Sequence, residues 1–99
     1  DFEAENPEID VQMNIMDREG YKTAIRNFLT TDPPDVANWY PANRMKPFVD
    51  AGLFMDISDV YKDNGLDTQL ASTMPIVTQD GKQWMIPYTY YQWGMYYNK

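Results

Sequence analysis

The chain contains no cysteine and no histidine. Without cysteine there is no disulfide framework, no thiolate metal site and no thiol nucleophile. Without histidine the commonest general base is missing, and with it the Ser-His-Asp arrangement and most zinc sites. No metal ligand set, cofactor motif or catalytic group stands out in what remains. Positive charge is scarce too: eight Lys and Arg face fifteen Asp and Glu, a net charge of −7 at pH 7. Nucleic-acid surfaces neutralise phosphates with clustered cations, and eight scattered ones do not supply that cluster. Long apolar runs are also absent, so no stretch reaches the roughly 20 residues of a membrane-spanning helix. Ninety-nine residues suit one domain at most.

What the chain does have is rings. Residues 82–99 (KQWMIPYTYYQWGMYYNK) hold Trp84, Tyr88, Tyr90, Tyr91, Trp93, Tyr96 and Tyr97, and their only Leu, Ile or Val is Ile86. Tyr and Trp combine a flat apolar face with a hydrogen-bonding edge, which suits ligands that are part apolar and part polar. Sugars are of that kind, with C–H faces that stack and hydroxyls that bond at the rim. The plainer alternative is that the rings pack inside a sheet, where aromatics are favoured.

Local patterns set the elements. Phe2-Glu3-Ala4-Glu5 reads as the last turn of a helix, capped by Asn6 and stopped by Pro7. Ile9 to Met16 alternates apolar and polar residues as a strand does. Tyr21, Ala24, Ile25, Phe28 and Leu29 then form one face of an amphipathic helix, with Asp17 as a cap before it and Asp32-Pro33-Pro34 after it. Asp35 to Trp39 reads as a buried strand of the parallel type. Pro41 to Ala51 is predicted as a second helix, regular from near Arg44 because Pro47 fits only a first turn, with Gly52 beyond its end. Short helices follow at Asp59–Asn64 and Asp67–Thr73. Pro75–Thr78 and Gln83–Ile86 flank an Asp80-Gly81 turn signal, and a last strand runs from Thr89 to Asn98. Strand and helix alternating in this rhythm imply a parallel sheet with right-handed crossovers.

The order of motifs resembles a known family. Phe2 to Pro7 leads into a strand, and Pro34-Asp35-Val36 leads to Trp39. Asn43-Arg44-Met45 and Phe48-Val49-Asp50-Ala51-Gly52-Leu53 precede Met55-Asp56-Ile57-Ser58. Asp80-Gly81-Lys82, Ile86-Pro87-Tyr88 and Tyr96-Tyr97-Asn98-Lys99 then follow in turn. Together these are similar to the first lobe of the extracellular solute-binding proteins of ABC sugar importers, the maltose-binding-protein-like family. The resemblance implies an α/β lobe of the type II periplasmic-binding-protein kind, a mainly parallel sheet with flanking helices. It also implies that residues 1–99 are a partial N-terminal lobe of a two-lobe protein, ending in the hinge-strand region. Such a lobe begins with a central strand and a full first helix, so the expected sheet is incomplete, its first strand missing. Left alone, the strands at Val11 and Val36 would face an empty slot, and the 99 residues would not fold stably as a monomer.

The same resemblance implies a function: two lobes close on a sugar or oligosaccharide in the cleft between them, and the receptor delivers it to the membrane permease of an ABC transporter. The expected location is the periplasm or the cell surface, with a lipid anchor if the cell is Gram-positive, and the expected parent is monomeric. The ligand-binding candidates are Trp39, Tyr40, Asn43, Arg44, Tyr88, Tyr91 and Trp93. Trp39 stands where the family often touches sugar, or else packs under the following helix. Asn43 and Arg44 match a polar pair that bonds hydroxyls in maltodextrin binders, and their donors and acceptors suit vicinal hydroxyls; the alternatives are a helix cap and a solvated Arg. Tyr91 falls four residues after Pro87, a common cleft position, and Trp93 shares its strand face by period two.

Two other classes deserve weighing. A glycoside-processing enzyme needs two facing carboxylates across the sugar, and no carboxylate lies beside the ring cluster; Asp10, Asp17 and Asp56 read as caps or loop-orienting groups. A carbohydrate-binding module without transport would share the aromatics, but such modules are usually β-sandwiches with little helix.

Overall fold

The computed structural model describes residues 1–91 and 94–98. It divides into two units, Asp1–Pro34 and Asp35–Lys99.

The first unit is built on two helices. Helix α1, Phe2–Glu5, closes on Asn6, whose backbone N–H and side-chain amide both donate to the Phe2 carbonyl at 2.9 Å. An extended stretch follows, fastened by the Val11 N–H on Glu3 Oε1 at 2.8 Å. Helix α2, Arg18–Thr31, starts at Asp17, whose carboxylate accepts from the N–H groups of Glu19 and Gly20 at 3.1 and 2.9 Å. Two of the orphan donors of the first turn are satisfied this way, and the carboxylate lies at the positive end of the helix dipole. Lys22 reaches back to Glu19 at 2.8 Å, and that hydrogen bond, with its charge, holds the Glu19 carboxyl below its ordinary value. The predicted apolar face holds: Ile25 and Leu29 are buried, with Tyr21, Ala24 and Phe28 half-buried beside them. The helix ends at Asp32, just before the two prolines.

The second unit runs through a series of short helical elements before its hairpin. A 3-10 turn at Ala42–Arg44 runs into α3, Lys46–Asp50, with Pro47 in the first turn, where its missing N–H is no loss. The end of α3 is a double lock: Leu53 N–H donates to the Phe48 carbonyl and Gly52 N–H to that of Val49, both at 2.9 Å. That is the Schellman arrangement, and it requires Gly52 at φ +69°. Helices α4, Ser58–Asp63, and α5, Leu66–Gln69, follow, then a 3-10 turn at Ala71–Thr73 and α6, Met74–Val77. Strands β1, Thr78–Gln79, and β2, Lys82–Gln83, pair antiparallel with Thr78 opposite Gln83. Between them Asp80 and Gly81 both have positive φ, 53° and 74°, as a type I′ turn demands.

The core of this unit is Met45, Phe48, Val49, Tyr61 and Val77. Tyr61 is only 1% exposed, and its hydroxyl donates to the Met85 carbonyl at 2.7 Å; burial raises its phenol above the ordinary value. Ser58 braces the hairpin against the start of α4. Its hydroxyl donates to the Asp56 carboxylate and accepts from Gln83 N–H at 3.0 Å, while Ile57 N–H donates to the Gln83 carbonyl at 2.9 Å. Lys82 stands 3.6 Å from Asp56 on the far side of the carboxylate.

Several expectations need correction. Ile9–Met16, Asp35–Trp39 and the described part of Thr89–Asn98 are in no ladder, and the sheet among the described residues is the antiparallel hairpin, not a parallel one. Alternation makes a segment able to pair, but a strand forms only where a partner lies alongside it. Pro75–Val77 is a helical turn instead of a strand, because a proline near a helix start is favourable whereas within a ladder it removes a donor. Asn43 caps nothing; it lies inside the 3-10 turn that follows Pro41. Among the described residues no helix is long and apolar enough to cross a membrane.

Two outcomes follow from these contacts in the protein that carries them. Gly52→Ala meets no atom within 4 Å, so its effect is the cost of a Cβ at positive φ: a loss of about 1–2 kcal/mol by thermal or denaturant unfolding. The Ser58 hydrogen bonds hold the Asp56 carboxyl below the ordinary carboxylate range. A depressed carboxyl contributes stability that is present above the ordinary value and is lost as pH falls through the lowered one. The stability difference between wild type and Asp56→Asn should therefore shrink as unfolding is measured from pH 5 down through the acid range.

Candidate ligand-binding site

Trp39 and Tyr40 stand just before the 3-10 turn, and the turn is built around Trp39. Its indole N–H donates to the Arg44 carbonyl at 2.9 Å, across the turn. Its rings meet Phe48 of α3 edge-on at 5.3 Å and Tyr40 edge-on at 5.5 Å. Phe48 in turn stacks on Phe54 at 5.5 Å. The alternative named for Trp39, packing against the following helix, is therefore real, and the residue remains half-buried.

Arg44 is not simply solvated. Its guanidinium lies over the Tyr40 ring, 4.6 Å from the centroid, which fixes a planar fork of donors above an aromatic face. Ala42, at the head of the same turn, holds φ +55°, a conformation that non-glycine residues seldom adopt. Such strain persists only where the surroundings enforce it; here the turn is pinned by Trp39 on one side and α3 on the other.

Trp39, Tyr40 and Arg44 are thus one cluster. Tyr88 joins its neighbourhood by another route: the Asn38 amide donates to the Tyr88 hydroxyl at 3.1 Å, linking positions 50 residues apart. Tyr88 is 78% exposed and borders a shallow hollow of about 190 Å³ with Thr73, Pro87 and Tyr90. Asn43 points elsewhere, lining a separate hollow of about 220 Å³ with Lys46, Thr78 and Gln79. Asp50 ties that rim together, accepting from Gln79 at 2.6 Å and standing 3.5 Å from Lys46. Tyr91 is exposed, and Trp93 lies outside the described residues. Sequence reasoning overlooked Asn38. The signal was there: a single amide set in the otherwise apolar run Val36-Ala37-Asn38-Trp39.

Chemically, the cluster offers ring faces, a guanidinium, hydroxyls and amides. Ring faces with a few placed polar groups are what concave small-molecule sites use to orient a ligand. Among the described residues no three His, Cys, Asp or Glu side chains come together as a metal site.

The comparisons with known proteins decide the family. All of residues 1–99 match the model described as "Bacterial extracellular solute-binding protein". The chain belongs to that family. By that description the family is one of binding proteins and is extracellular. The chain is also similar to the multiple sugar-binding protein of Streptococcus mutans serotype c, at 34% identity over 100 residues. That match covers 100% of this chain and 23% of the relative, so the chain spans about a quarter of the curated protein it matches. No solved structure matches it.

The indole contact also has a measurable weight. Trp39→Phe keeps the ring contacts with Phe48 but leaves the Arg44 carbonyl without its donor. A loss of about 0.5–1.5 kcal/mol in unfolding free energy is expected, the net worth of one hydrogen bond.

Proposed function

We propose that this chain is a partial N-terminal lobe of a two-lobe receptor that captures a neutral mono- or oligosaccharide and delivers it to the permease of an ABC transporter. The observation that carries the reading is the Trp39–Tyr40–Arg44 cluster, ring faces next to a held guanidinium, in a chain of the solute-binding family. The name of the Streptococcus relative, a multiple sugar-binding protein, supports sugar as the ligand class.

In this reading the described helices flank a mainly parallel sheet completed by segments beyond these residues. Residues 82–99 lead into the hinge. Ligand enters the cleft between the lobes, and closure of one lobe on the other buries it. The half-buried Trp39 stacks one sugar face, Tyr40 and Arg44 flank it, and Tyr88 and Tyr91 add a further part of the wall. Affinity comes mainly from stacking and specificity from the few polar groups. The receptor acts outside the cytoplasmic membrane, in the periplasm or held at the cell surface by a lipid, and works as a monomer.

Titration calorimetry of the whole receptor tests this. Neutral sugars should bind, while amino acids and divalent metals should not; tight binding to one of the latter with none to sugars would sink the proposal. Trp39→Ala should weaken sugar binding by about 1–3 kcal/mol, as loss of a strong single contact does. Unchanged affinity in that variant would leave Trp39 with only its packing role, and Tyr91→Ala tests the other part of the wall in the same way.

A further inference from the structure

The hydrogen bond between Asn38 and Tyr88 has a direction, and the direction matters. Asn38 Nδ2 is the donor and the Tyr88 hydroxyl oxygen the acceptor, at 3.1 Å. A phenol can accept at its oxygen and donate one proton. With the amide N–H on the oxygen, the proton cannot also be given to Asn38 Nδ2, which has no free lone pair. It is left for something else. Tyr88 is 78% exposed, so that proton faces open space beside the hollow it shares with Thr73, Pro87 and Tyr90.

We propose that Asn38 is a positioning residue that sets the polarity of Tyr88, making its hydroxyl a hydrogen-bond donor to the ligand. The inference rests on the sugar-receptor reading above and adds a specificity rule to it. Tyr88 reads a position where the ligand offers a lone pair, such as a ring or glycosidic oxygen or a hydroxyl oxygen whose own proton is used elsewhere. Because the tie spans 50 residues, it also holds the segment before Trp39 and the segment after Pro87 in fixed register. The donor is therefore placed by the fold, and not by the freedom of an exposed side chain.

The near-isosteric change Asn38→Asp reverses the polarity. A carboxylate only accepts, so the Tyr88 proton turns to it in a charge-assisted bond, and the ligand meets lone pairs in place of a donor. The test titrates the whole receptor with maltose, sucrose, lactose and melibiose in four forms: wild type, Asn38→Asp, Tyr88→Phe and the double variant. Asn38→Asp and Tyr88→Phe should each raise the Kd of the best-bound sugar about 3- to 10-fold, the worth of one hydrogen bond. In the Tyr88→Phe background Asn38→Asp should add nothing, and the thermal midpoint should stay in place. Equal loss in both backgrounds, or none, overturns the proposal. A ligand-free measurement keeps it falsifiable should a variant misfold: the Asn38 side-chain amide resonances must shift in Tyr88→Phe, and unmoved resonances would disprove the bond. Wild type that binds none of the four sugars counts against the receptor reading and this inference together. Firm wild-type binding with an unaffected Asn38→Asp removes this inference alone.

Discussion

The indole N–H of Trp39 on the Arg44 carbonyl is the contact on which the candidate site depends. Remove it, and the 3-10 turn loses a side-chain clamp just where Ala42 holds a left-handed backbone. The turn carries Arg44, and the Tyr40 ring beneath the guanidinium is the neighbour of Trp39 in sequence. A single ring therefore does two things. Its edge packs on Phe48, anchoring the turn to α3, and its polar corner fixes the turn's far carbonyl. Leu or Phe at this position could do the first but not the second. That combination is the physical reason a Trp suits this place, whether or not a ligand is bound.

A second constraint acts at the hairpin. Two strands of two residues each have little stability of their own. The hairpin holds because Gln83 is bonded on its outer side as well, through Ser58 and Ile57, and because Tyr61 beneath it spends its hydroxyl on Met85. The half-buried Trp84 adds its indole N–H on the Gln79 carbonyl at 3.1 Å. Polar atoms in this region thus find partners from other elements. Among the described residues no buried side-chain polar atom is left unsatisfied.

The two constraints meet in how the rings are divided. Trp39 and Trp84 are held by their N–H groups, and Tyr61 by its hydroxyl, so these rings belong to the framework. Tyr88, Tyr90 and Tyr91 stand exposed, with Tyr88 alone among them oriented by a side-chain tie, the one to Asn38. The aromatic richness that first suggested a binding surface is thus part scaffold and part surface. Composition by itself does not separate the two.

Local signals were readable where one residue type answers one local need. Asp17 caps α2, the Tyr21–Leu29 face is the inner one, Pro47 falls in the first turn of α3, Gly52 closes it and Asp80-Gly81 makes the turn. Each depends on neighbours within a few residues, so the sequence by itself determined them. The family order of motifs was legible for the same reason, since it is a string of such local signals. Pairing is different. Whether Ile9–Met16 or Asp35–Trp39 becomes a strand depends on what lies beside it, and Pro75–Val77 coiled into a helical turn despite its β-branched residues. The site divides along the same line: its rings could be named from sequence, but only tertiary structure decided that Asn38 reaches Tyr88. Contacts across 50 residues leave no periodic trace in the chain, because their energy exists only once packing has brought the two ends together.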